Sequence, residues 1–149
     1  QTPSVIPAMS VEENIGLGQR SPDTDRLNEV LAHFDLVSLR RALCGTLSGG
    51  ERRRVELARA FASQARLLLV DEPFAALDPR TVSEVSKYLR ATAQAGVGVL
   101  LTDHYVAQTL DLCHRIYILK DGHVLCSGSA EEIAQNPRVR DSYLGGDFI

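Results

Sequence analysis

Between residues 67 and 102 the chain passes through three segments that leave little freedom of architecture. Leu67-Leu68-Leu69-Val70-Asp71 is a continuous apolar run of strand length, the pattern of a strand buried on both faces. Pro79 sits where a helix starts, Val82, Val85, Leu89 and Ala93 mark its buried stripe, and Gly96 ends it. Val97 to Thr102 reads as a second buried strand. Strand, helix and strand with a crossover of this length form a βαβ unit, which implies a parallel sheet and an α/β fold.

The residues before this unit read as helical. Ser10-Val11-Glu12-Glu13 has the pattern of a capping box, in which the hydroxyl and the carboxylate satisfy each other's backbone N–H groups. After a break from Gly16 to Pro22, Asp23 or Thr24 caps a second helix carrying Leu27, Val30, Leu31 and Phe34 at helical spacing. A shorter helical piece is expected around Leu36 to Leu43, and a long helical run over Arg52 to Ala62. Beyond the βαβ unit, Arg115–Lys120 and His123–Ser127 joined by Asp121-Gly122 make a hairpin. Ser129-Ala130-Glu131-Glu132 is another capping box, and Tyr143 to Ile149 has no clear periodicity. Two parts are therefore expected, a helical one over residues 1–63 and a sheet-bearing one over 64–149.

Composition excludes several classes of function. The 149 residues are 44% hydrophobic and 23% charged, the balance of a globular fold rather than a disordered chain. A net charge of −3 supplies no basic field for nucleic acid, so no nucleic-acid partner is expected. Cys44, Cys113 and Cys126 are odd in number and widely spaced, which fits free thiols in a reducing cytosol. No run reaches the roughly 18 apolar residues of a membrane span, so any work at a membrane is expected to go through a partner. The chain opens at Gln1 with no basic-plus-apolar leader, and its single methionine is Met9.

Three short stretches carry candidate chemistry. Asp71 and Glu72 stand side by side at the C-terminal end of the first strand, where open α/β sheets place their ligands. The first carboxylate suits Mg²⁺ on a nucleotide, and the second can orient or deprotonate a water. Strand ends are also acidic for solubility alone, and the pair by itself fits either reading. Ser48-Gly49-Gly50-Glu51 opens the long helix with bare N–H groups, a phosphate site in the making and equally an ordinary turn and cap. The following Arg52-Arg53-Arg54 reads as a solvated or partner-facing surface. His104, after Thr102-Asp103, can hydrogen-bond a phosphate or water, although a lone histidine there is more often structural. His33, His114 and His123 have no neighbouring ligands in sequence and read as structural or exposed.

Taken in order, LSGGE, an arginine-rich helix, LLLVDEP, Ala76-Leu77-Asp78 and a strand ending in Asp103-His104 resemble the ATP-binding cassette (ABC) ATPases, whose fold is that of the P-loop NTPases. The resemblance implies that Ser48, Gly49, Gly50 and Glu51 form the signature motif that contacts nucleotide. It makes Asp71 the Walker B metal ligand, Glu72 the catalytic glutamate, Asp78 part of the nucleotide-binding D-loop and His104 the switch histidine. Gln1 falls at the Q-loop glutamine, which reaches both metal and attacking water. ATP and Mg²⁺ are the implied cofactors, and a head-to-tail homodimer is the implied active form. No G-x-x-x-x-G-K-[ST] phosphate loop occurs in the 149 residues. In this family that loop precedes the Q-loop, so the chain is expected to be the later part of a cassette and inactive by itself.

Three stretches, LSGGERRRVELARA, LLTDHYVAQTLDLCHRIYIL and YLGGDFI, are similar to the ATPase subunits of lipopolysaccharide export systems. That resemblance implies integral-membrane permease partners and a peripheral place on the cytoplasmic face of the inner membrane. Branched-chain amino acid importers, which also tend to end near YLG, are the alternative. DNA-repair and chromosome-organising ATPases share LSGG and Walker B but insert long coiled coils. Only 45 residues separate Gln1 from Leu47, Pro22 lies among them, and no heptads occur.

Overall fold

A computed structural model describes residues 5–75 and 77–139. The chain divides into two compact units, residues 1–102 and 103–149.

The first unit begins with α1 (Val11–Gly16), opened by the Ser10/Glu13 capping box that the sequence predicts. α2 (Thr24–His33) starts at Asp23, whose carboxylate accepts from the Arg26 N–H at 2.9 Å. The helical piece expected near residues 36–43 is only a single 3-10 turn over Val37–Leu39. Asp35 breaks the chain there with φ of +51°, and only Leu36 turns into the core, so no continuous apolar stripe holds a longer helix. α3 (Gly49–Ala62) packs on both α1 and α2. Val11, Ile15, Val30, Leu31, Val55 and Ala58 are fully or almost fully buried along these helices.

Phe34, Phe61 and Tyr88 join that core, with ring centroids 5.7 Å apart for Phe34–Phe61 and 5.4 Å for Phe34–Tyr88. Tyr88 belongs to α4 (Pro79–Gln94), and its hydroxyl donates to Asp35 Oδ2 at 2.7 Å. The buried side of α4 consists of Val85, Tyr88, Leu89 and Thr92. Val82 and Ala93, expected at its centre, lie half-buried on its flanks.

β1 (Leu67–Asp71) and β2 (Gly98–Thr102) pair in parallel, from Leu67 beside Gly98 to Asp71 beside Thr102. The βαβ expectation therefore holds, but the expectation of burial on both faces does not. Leu68 and Val70 are buried, whereas Leu67, Leu69 and Leu100 are 55%, 74% and 58% exposed. Alternate residues of paired strands share a face. One face is covered, α4 packing along β2, and the other carries its leucines bare among the described residues.

In the second unit, α5 (Val106–Leu112) precedes the antiparallel pair β3 (Ile116–Lys120) and β4 (His123–Gly128). Asp121 and Gly122 take φ of +50° and +77°, the two positive values that a tight hairpin turn needs. The register slips once, between Ile118 and Leu119. Ser129 and Glu132 close the second predicted capping box at the start of α6 (Ala130–Gln135), and the short α7 covers Pro137–Val139. Ile116, Ile118, Ile133 and Val139 form the core of this unit, flanked by Val106, Leu110 and Leu125.

Candidate functional site

The serine-glycine stretch is the start of α3. Ser48 is its N-cap: the Ser48 hydroxyl accepts from the Glu51 N–H at 3.3 Å, and Glu51 Oε2 accepts from the Ser48 N–H at 2.7 Å. Those bonds from Ser48 hold the Glu51 carboxyl below the usual carboxylate range. Four N–H groups open any α-helix without an internal partner. The box satisfies those of Ser48 and Glu51 and leaves those of Gly49 and Gly50, at the positive end of the helix dipole.

The two glycines differ. A β-carbon on Gly49 would meet nothing within 4 Å, whereas one on Gly50 would lie 2.7 Å from Thr81 Cγ2. Thr81 belongs to the first turn of α4, whose N-cap is Asp78. The Asp78 carboxylate accepts from the N–H groups of Arg80 and Thr81 at 3.0 and 3.1 Å and from the Thr81 hydroxyl at 2.5 Å. The Thr81 bonds hold the Asp78 carboxyl below its ordinary value. The fold thus brings the start of α3 against the start of α4, and so brings Ser48–Glu51 beside Asp78. Ala76 and Gln1 lie outside the described residues.

Asp71 and Glu72 stand at the end of β1. Asp71 falls on the bare face of the sheet, and its Oδ1 accepts from the hydroxyl of Thr102, its neighbour on β2. Glu72 turns away from the strand with φ of +43°, a left-handed conformation that non-glycine residues seldom adopt. Its N–H still donates to the Thr102 carbonyl at 2.8 Å, so β2 fixes both acidic residues. Glu72 thereby leaves the regular alternation of the strand immediately after Asp71. Among the described residues no group of three or more acidic, histidine or cysteine side chains could hold a metal unaided. One hard carboxylate oxygen at a strand end, with a second beside it, instead fits Mg²⁺ that keeps waters and phosphate oxygens as its other ligands.

Arg53 is the residue the sequence reading misplaced. It is not on a solvated surface: its side chain is 15% exposed and reaches from α3 to the end of β1. Its Nη2 donates to the carbonyls of Asp71 and Glu72 at 3.1 and 3.2 Å, and its Nη1 bonds to Glu56. Arg54 is likewise turned inward, its Nη1 donating to the Asp35 carbonyl and the Tyr88 hydroxyl at 3.4 Å. An arginine with a glutamate three residues on looks like a surface ion pair, and no local signal in the sequence marks a partner 18 residues away. An open cavity of about 600 Å³ lies beside this contact, lined by Arg53, Glu56, Leu68, Leu69 and Asp71 among others.

His104 belongs to the second unit, just before α5, and is described within it. Its ring lies 4.4 Å from that of Tyr105, and its Nδ1 is 3.8 Å from Asp103 Oδ1. Asp103 also accepts from the Tyr105 N–H at 2.9 Å, so the turn carrying His104 is braced by its own neighbours.

Comparison with known proteins completes the picture. Residues 1–75, just over half of the chain, match the ABC transporter family model. The chain belongs to the ABC transporter family. Residues 123–149 also match a model described as branched-chain amino acid ATP-binding cassette transporter. The chain is 45% identical, over 99% of its length, to the lipopolysaccharide export system ATP-binding protein LptB of Acidithiobacillus ferridurans. Among solved structures, the ADP conformation of MJ1267, an ATP-binding cassette of an ABC transporter, covers 93% of the chain with a TM-score of 0.78 at 22% identity. A dimeric post-hydrolysis state of the cassette MJ0796 bound to ADP and Pi covers 87% with a TM-score of 0.70 at 26% identity. The chain spans 64%, 63% and 60% of these three proteins, respectively. These likenesses show the ABC ATPase fold. Among the described residues no helix is long and apolar enough to cross a membrane.

Proposed function

We propose that this chain serves in an ATP-hydrolysing subunit of an ABC transporter for lipopolysaccharide export. The observation that carries the hydrolytic reading is the adjacent pair Asp71 and Glu72 at the end of β1, with Glu72 in a left-handed conformation tied to β2. Placed so, Asp71 would offer an oxygen to Mg²⁺ on the nucleotide, and Glu72 would orient the attacking water and accept its proton. Bound there, Mg²⁺ would offset charge on the phosphates. The Thr102 hydroxyl orients the Asp71 carboxylate. Gln1 is assigned to the metal and the water, and His104 to a hydrogen bond with the γ-phosphate or the water.

Gly49 and Gly50 offer N–H groups, and Ser48 its hydroxyl proton, to the phosphates of ATP held by a second copy of the subunit. Glu51 serves this site by holding the helix start in shape, and Asp78 by fixing the adjacent start of α4. Head-to-tail pairing of two copies places each signature stretch opposite the other's nucleotide. In this reading residues 1–63 carry the Q-loop and signature, and 64–149 the Walker B, D-loop and switch segments. The dimer sits beneath permease subunits on the cytoplasmic face of the inner membrane. The cargo is assigned from the 45% identity with LptB across almost the whole chain. The match of residues 123–149 to the branched-chain amino acid cassette model favours a second reading, import of those amino acids.

The test is Glu72→Gln in the protein as encoded. Nucleotide binding is retained, turnover falls by two orders of magnitude or more, and ATP traps the dimer on size exclusion. Near-parental turnover removes Glu72 from the role. Reconstitution with its permease separates the cargoes: lipopolysaccharide stimulates turnover under the first reading, and a branched-chain amino acid with its binding protein under the second.

A further inference from the structure

We infer that Arg53 is the positioning residue that fixes where Glu72 presents its carboxylate, an inference that rests on the role proposed above for Glu72. The Asp71 carbonyl belongs to the peptide plane before the Glu72 Cα, and the Glu72 carbonyl to the plane after it. Both accept from the same Nη2, at 3.1 and 3.2 Å. Each plane is rigid, so the only soft torsions between them are φ and ψ of Glu72. A single donor shared by both carbonyls therefore sets both torsions, and with them the direction of the Cα–Cβ bond.

The conformation held this way is one that needs holding. Glu72 has φ of +43°, where an L side chain crowds its own backbone, and such values persist only where surroundings enforce them. The Glu72 N–H bond to Thr102 secures one side of the residue, and Arg53 secures the other. The guanidinium is itself restrained. Its Nη1 bonds to Glu56 one turn along α3, and the pair is largely shielded from solvent. A lysine at this position has a point charge in place of a planar fork and cannot hold Glu56 and both carbonyls in one geometry.

The experiment compares Arg53→Met, Arg53→Lys, Glu72→Gln and the Arg53→Met/Glu72→Gln double variant in the protein as encoded. Methionine keeps the length and the helix propensity of position 53. Affinity for a fluorescent ATP analogue stays within about twofold in Arg53→Met, while kcat falls between about tenfold and a hundredfold, the range for displacement of a reacting group by about 1 Å. Arg53→Lys, which keeps charge and stem, shows the same kcat-specific loss at smaller size and serves if the methionine variant does not fold. Because Arg53 acts through Glu72, the double variant is no slower than Glu72→Gln alone. Parental kcat in Arg53→Met overturns the inference while leaving Glu72 in place. So does a double variant slowed by the full single-variant factor, or an equal loss of affinity and turnover. Parental turnover in Glu72→Gln overturns both the role of Glu72 and the positioning built on it.

Discussion

Replacing Gly50 by alanine separates two reasons for a glycine at the start of α3. The new methyl would lie 2.7 Å from Thr81 Cγ2 and 3.3 Å from its Oγ1, inside van der Waals contact. Thr81 is β-branched, and its hydroxyl is held by Asp78 at 2.5 Å, so it cannot swing aside without giving up that bond. Overpacking by one methyl costs about 1 to 3 kcal/mol. Removing a glycine from a helix returns up to about 1 kcal/mol. Gly50→Ala is therefore expected to be less stable by up to about 2 kcal/mol, read as a lower urea midpoint with unchanged slope. Gly49→Ala meets nothing within 4 Å and should match or exceed the parent. Thr81→Ser removes the obstructing carbon and keeps the hydroxyl for Asp78, so it restores much of the loss in the Gly50→Ala background. ATP turnover falls in both alanine variants, since both crowd the proposed phosphate contact. A Gly50→Ala protein as stable as the parent, or one that Thr81→Ser does not rescue, would refute the packing argument.

Two further outcomes follow from buried polar groups. Burial holds the His33 pKa below its ordinary 6.5, with Arg26 adding to the effect and Asp35 opposing it. The unfolded chain thus binds the proton more readily, and stability is full above pH 6.5 and declines as pH falls through 6.5 towards the folded value. His33→Phe, which keeps a ring against Phe61, loses that portion of the pH dependence; urea midpoints at pH 7.5 and 5.5 that fall equally in both proteins count against it. Asn14 is fully buried and bonds to the Ile6 N–H at 2.8 Å and to the carbonyls of Ile6, Met9 and Ser10. Asn14→Leu strips those partners and should cost about 2 to 3 kcal/mol by urea unfolding, with parental stability the contrary result.

What could be read in advance was what four or five consecutive residues decide. Ser10/Glu13 and Ser129/Glu132 each mark a helix start because both halves of the box sit within one turn. Asp121-Gly122 marks the hairpin because two positive φ values are demanded of those two positions. Continuous apolar strands were harder, since Leu67 to Val70 is apolar on both faces whether or not something covers each of them. The site divides in the same way. The motif stretches stand out in the sequence, but the left-handed turn at Glu72 and the grip of Arg53 on it do not, because Arg53 lies 19 positions away. Thr81 against Gly50 was hidden for the same reason.

The local character of the caps and the distant pairing of β1 also set an order of events during synthesis. A helix opened by a tetrapeptide, or a hairpin closed by two turn residues, can form from what has already left the ribosome. β1 cannot, because Leu67 pairs with Gly98 and Asp71 with Thr102, across the whole of α4. At about 5 to 20 residues per second, the strand bearing Asp71 waits roughly two to six seconds for its partner to be made. Until β2 is made its leucines have no parallel strand beside them, and Glu72 has no Thr102 carbonyl to hold its backbone. The turn at Glu72 is therefore among the last features of the first unit to be shaped, though its residues are made well before the strand that shapes it.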